Sequence, residues 1–149
     1  MRGAIHVAVA LMLAAGVVFG KAESLPELKA RADQAHGSEQ AKLCLEYAQR
    51  ELEDADALYT SGDVEKAQAE VEEVVTYAKK AAEVATSSGK RLKQTEIGLR
   101  ELAKRMRDIG NSLAFEDRAP VNKGVDEIEQ ARSTLLNKMF SGLSTPPAA

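Results

Sequence analysis

The chain has no tryptophan, three tyrosines, three phenylalanines and one cysteine among its 149 residues. So few aromatics leave no stacking platform of the kind that grips single-stranded nucleic acid. The single thiol, Cys44, cannot close an internal disulfide. Its sequence surroundings read as those of a small buried hydrophobe, and nearby Glu46 opposes thiolate formation. Histidine is nearly as scarce: His6 lies in an apolar N-terminal run, which leaves His36 alone. A transition-metal site needs several converging nitrogen or sulfur ligands. His36 and Cys44 sit on opposite sides of an expected chain break, and no metal or cofactor is expected. No glycine-rich phosphate loop, nucleophile elbow, zinc motif or Glu-x-x-His spacing occurs, so an enzyme is not expected either. Apolar-polar alternation of period two is missing throughout, which excludes a sheet.

What is present begins with Arg2 and an uncharged run from Ala4 to Phe19. Sixteen residues fall short of the roughly 20 needed to span a bilayer. Gly20 and Ala22 stand at −3 and −1 of a cut after Ala22. The layout is that of a secretory signal peptide over residues 1–22. Export to a bacterial periplasm or beyond is the expectation, with no stable membrane span after cleavage. Loss of Arg2 and Lys21 shifts the formal charge from −3 to −5.

Residues 23–142 read as one helical domain, and residues 143–149 as a flexible tail. Glycines 37, 62 and 89 interrupt the chain at near-regular spacing, each able to end a helix in the left-handed region. Ser38 and Asp63 follow two of them as candidate caps. Pro120 can open a last helix, and Gly142 can close it. Between these breaks apolar residues recur in steps of three and four. The stripes are Leu25, Leu28, Ala32 and Ala35; Ala41, Leu45, Ala48, Leu52, Ala55 and Tyr59; Val64, Ala67, Val71, Val74, Ala78, Ala81 and Ala85; Leu92, Leu99, Leu102, Met106, Ile109 and Leu113, with Thr95 in phase; and Val121, Val125, Ile128, Ala131, Leu135 and Met139. Ser24 and Glu27 have the capping-box spacing for the first of these helices. The expected fold is all-α: an up-and-down antiparallel helical bundle of four long helices plus one short N-terminal helix.

Charge is unevenly spread along that bundle. Residues 38–73 hold eleven acidic and three basic residues, whereas residues 90–107 hold seven basic and two acidic. Nucleic-acid binding fits neither the acidic total nor the missing aromatics, so no nucleic-acid partner is expected. The basic run instead reads as a solvated or internally paired face, with Glu96–Arg100 and Glu101–Arg105 at the favourable i, i+4 spacing. Glu51 and Asp54 fall on the flank of their stripe, placed to meet a neighbouring helix's Lys or Arg.

The stretch "LYTSGDVEKAQAEV" resembles the turn between the two helices of a tetratricopeptide repeat, with Gly62, Ala67 and Val71 at matching spacing. That resemblance covers fourteen residues and implies a tight helix hairpin. An exported helical protein presenting charged faces to a protein or envelope partner, or to a second copy of itself, is the functional expectation. The acidic surface around Glu70, Glu72 and Glu73 and the region of Arg105 and Arg107 are the candidate interaction surface. The alternative is a carrier of a small ligand or metal.

Overall fold

A computed structural model describes residues 22–142. The expected signal segment, save Ala22, and the expected tail lie outside the described residues. Five α-helices follow one another: α1 (Leu25–Gln34), α2 (Gly37–Ser61), α3 (Val64–Ser88), α4 (Leu92–Ser112) and α5 (Arg118–Ser141), with a 3-10 turn at Phe115–Asp117 before α5. No strand occurs among the described residues. At 1.5 Å rise per residue, the two 25-residue helices α2 and α3 are each about 37 Å long.

The breaks follow local backbone chemistry. Gly62 and Gly89 end α2 and α3 as expected, at φ of 85° and 67°, the left-handed region that costs a residue with a Cβ most. Gly37, at φ 57°, does not end α1, which stops at an extended Ala35, but opens α2. Ser24 caps α1 in a complete capping box with Glu27. The other two expected caps are not made. α2 already begins at Gly37, with His36 in the capping position and Ser38 inside the helix. Asp63 precedes α3, but its carboxylate accepts from Lys66 Nζ at 2.7 Å instead of from a backbone amide.

The stripes become the core. Leu28, Leu52, Leu99, Leu102, Met106, Ile128 and Leu135 are buried almost completely, and Thr95 is buried with them. On α3 the buried face is mostly Val and Ala, which lets its neighbours approach closely. α3 packs most extensively on α2 and then on α5, and α4 packs chiefly on α5. Gly124 shows how near α5 comes to its neighbours. A Cβ there would lie 2.8 Å from Met106 Cε and 2.9 Å from Val75 Cγ2.

Short α1 is fastened by more than its apolar face. Tyr47 of α2 and Tyr77 of α3 meet edge-on, with ring centres 4.5 Å apart. The Tyr77 hydroxyl donates to Asp33 of α1 at 2.8 Å, and Lys80 Nζ donates to the same carboxylate at 2.9 Å. Lys29 of α1 pairs with Glu73 and lies 5.5 Å from the centre of the Tyr77 ring. A helix of 10 residues is too short to persist alone. These contacts and the burial of Leu28 and Ala32 hold it against the hairpin.

Candidate interaction surface

The seven cations of residues 90–107, on and just ahead of α4, fall into two sets. Arg105 pairs with Glu53 of α2 at 3.4 Å, and Arg107 pairs with Glu129 of α5 at 2.5 Å. The other five, Lys93, Arg100 and Lys104 on α4 and Lys90 and Arg91 just ahead of it, are exposed and make no ion pair with any described residue. The two pairs expected within the helix are not formed. Glu96 is buried and accepts instead from Arg132 Nε of α5 at 2.7 Å, and Arg105 reaches across to α2. For Glu96, an interhelical partner at a partly buried site wins over a solvated one a turn away, because screening is weaker there. The Arg105–Glu53 pair is exposed, and burial does not account for it.

Lys93, Arg100 and Lys104 are separated by seven and four residues, which places them on one outer side of α4. Half-buried Ile97 lies among them. α4 has no side-chain cap and no acidic residue in its first turn. Lys90, Arg91 and Lys93 therefore crowd the positive end of the helix dipole, where cations are unfavourable. Arg91 also has φ 58°, a left-handed conformation that no other described non-glycine residue adopts. Nothing in helix stability asks for this concentration of charge.

The candidate residues of the sequence are placed unevenly. Glu72 is exposed and has no ion pair with a described residue. Glu73 is taken by Lys29, Arg105 by Glu53 and Arg107 by Glu129. Glu70 turns inward, and its Oε2 is buried without a hydrogen-bond partner among the described residues. The five exposed cations on and just ahead of α4, without ion pairs to described residues, are a more open charged surface than these residues, and they were visible in the sequence as the "KRLKQTEIGLRELAK" run.

Beside Glu70 lies Glu51, 9 % exposed. The expected Lys or Arg partner for Glu51 is not there, and Asp54 is exposed with none either. Burial pushes the Glu51 carboxyl above its ordinary range, and Glu70 adds to the effect. Burial and Asp54 push Glu70 the same way. The two acids can therefore hold protons where a solvated carboxyl would not. Tyr47, Lys29 and Glu73 complete this nook between α1, α2 and α3.

Cys44 is fully buried, as its sequence context suggested, and burial raises its thiol to about 11. His36 is exposed at the break between α1 and α2. No group of three or more His, Cys, Asp or Glu among the described residues is arranged to hold a metal ion. Two adjoining hollows of about 590 and 600 Å³ run between α3 and α5. The Lys79–Glu127 pair, 2.8 Å apart, lines both of them. No described helix is long and apolar enough to cross a membrane. No protein-family model, curated protein or solved structure matches the chain.

Proposed function

We propose that the chain is an exported, non-catalytic interaction protein that presents charged helix faces to a protein partner. Its leader, residues 1–22, is removed on passage into the periplasm or the medium. The mature helices close as an up-and-down bundle, without a cofactor and without chemistry of their own. One observation carries the reading. An acidic chain gathers five exposed cations, without ion pairs to described residues, on and just ahead of α4, three of them at the helix end where they are least favoured. Charge so placed contributes nothing to folding and is available for contact. Such contacts steer encounter and fix register more than they supply affinity.

Two measurements test the proposal. The intact mass of the product, expressed with its own leader in a bacterial host, should correspond to a chain beginning at Glu23. A product retaining residues 1–22 would remove the export element. The immobilised protein should capture an envelope protein that is lost at high salt and lost with Lys93→Glu, Arg100→Glu and Lys104→Glu combined. Equal capture by both forms would remove α4 as the contact.

A further inference from the structure

The side of α3 that borders the hollow against α5, which Lys123 also lines, carries the complement of the basic stripe. Glu65, Glu72 and Glu83 are exposed, separated by seven and eleven residues, and so share one side of α3 with Thr76. None of the three acids has an ion pair with a described residue. The neighbouring cations of α3 are already engaged, Lys79 with Glu127 and Lys80 with Asp33. The acidic side is therefore not neutralised by its own helix. On α4, Lys93 and Arg100 repeat the seven-residue step that separates Glu65 from Glu72.

We infer that a second copy of this chain is the partner: the Lys93, Arg100 and Lys104 stripe of one copy docks along the Glu65, Glu72 and Glu83 stripe of another. The inference rests on the interaction reading above and names its partner. Laid side by side in parallel, Glu65 meets Lys93 and Glu72 meets Arg100. Laid antiparallel, Glu83 meets Lys93 and Glu72 meets Lys104. Either register makes two opposite-charge pairs about 10 to 16 Å apart, at 1.5 Å rise per residue.

The two stripes do not meet within one copy. α3 and α4 pack on each other far less than either packs on α5, and no ion pair joins Glu65, Glu72 or Glu83 to α4. Each copy thus offers one acidic and one basic surface, so the contact either closes as a reciprocal pair or ring or adds copies in succession. Pairs between exposed charges are weak and screened by salt, so the association is concentration-dependent and confined to low ionic strength.

Sedimentation velocity of the purified protein, as its host processes it, tests this directly. At low salt the weight-average mass should rise about twofold between roughly 10 and 500 µM, and the rise should vanish near 0.5 M salt, where the Debye length shrinks to a few Å. Variant A carries Lys93→Glu, Arg100→Glu and Lys104→Glu; variant B carries Glu65→Lys, Glu72→Lys and Glu83→Lys. All six positions are exposed, and circular dichroism should show both variants folded. Each alone should stay monomeric, whereas an equimolar mixture should associate, because every surface of A then opposes one of B. A wild-type protein that remains monomeric at low salt overturns the inference, as does association of A or B alone equal to wild type. Binding of polyglutamate by that monomer, lost in variant A, would leave the interaction reading standing with a foreign acidic partner. Loss of both behaviours would remove the two readings together.

Discussion

Glu51 in the α2–α3 hairpin and Glu96 in the α4–α5 hairpin are buried to nearly the same depth, at 9 % and 8 % exposure. They are accommodated in opposite ways. Glu96 receives the Arg132 guanidinium at 2.7 Å, and Arg132 also reaches Glu129 at 3.0 Å. Glu51 makes no ion pair with a described residue, lies near Glu70 and Glu73, and is pushed toward its protonated form by burial. One hairpin offsets a buried acid with a neighbouring cation; the other leaves it without one, and burial tightens its hold on a proton. The difference shows that burial alone does not determine how a carboxylate is tolerated. What matters is whether the facing helix supplies a cation at that level, and α3 supplies another glutamate.

The largest test of this contrast is Arg132→Ala. It strands Glu96 in a partly dry site, and urea unfolding should show a loss of about 3 kcal/mol, at the low end for breaking a buried pair. The low end applies because the Arg132 side chain keeps 24 % exposure. Adding Glu96→Gln should recover most of the loss, and a single-variant cost below about 0.5 kcal/mol would show the pair to be a surface one. Gly124→Ala comes next. Its Cβ meets a flexible methionine end and an unyielding Val75 methyl. Overpacking there should cost about 1–2 kcal/mol by the same measurement, after the gain in helix propensity.

Glu51→Gln sharpens the other side. A raised folded pKa means that the native state holds its proton more tightly than the unfolded chain does. The contribution of these two groups is therefore greatest below the ordinary carboxyl range, falls as pH rises through the raised values of Glu51 and Glu70, and then levels. Asp33 works in the reverse sense. The hydrogen bond from Lys80 holds its carboxyl low, so its contribution is lost as pH falls. Comparing wild type with Glu51→Gln across pH isolates the first effect. The variant should be more stable above neutrality by up to about 1 kcal/mol and show a shallower decline. A parallel pair of curves would mean that Glu51 does not titrate in this range. The smallest expected effect is Lys29→Ala. That cation pairs with Glu73 in the same nook, but the two side chains are 41 % and 29 % exposed, so thermal unfolding should report under about 1 kcal/mol.

Much of the fold was legible because helix period and glycine geometry are local. The stripes name the buried faces of all five helices, and two of the three expected glycine breaks, Gly62 and Gly89, end their helices in the left-handed region. What the sequence did not disclose is which element lies opposite which. Glu96 reads as a partner for Arg100, one turn away, and only the placement of α5 brings Arg132 closer. Glu51 reads as destined for a cation, and the register of α3 against α2 puts Glu70 there. The tyrosine pair that fastens α1 was missed for the same reason, since Tyr47 and Tyr77 are thirty residues apart and meet only through the hairpin. For the interaction surface, the composition of α4 was plain, but which of its cations are already engaged depends on α2 and α5.

Cys44 sits fully buried on α2, and its thiol is raised to about 11 by that burial. The thiolate is the reactive species, so a reagent can modify it only during moments when α2 lifts from its neighbours. With no second cysteine in the chain, that one sulfur serves as a built-in gauge of breathing. Its labelling rate, divided by that of an unstructured thiol, reports how often this part of the molecule opens.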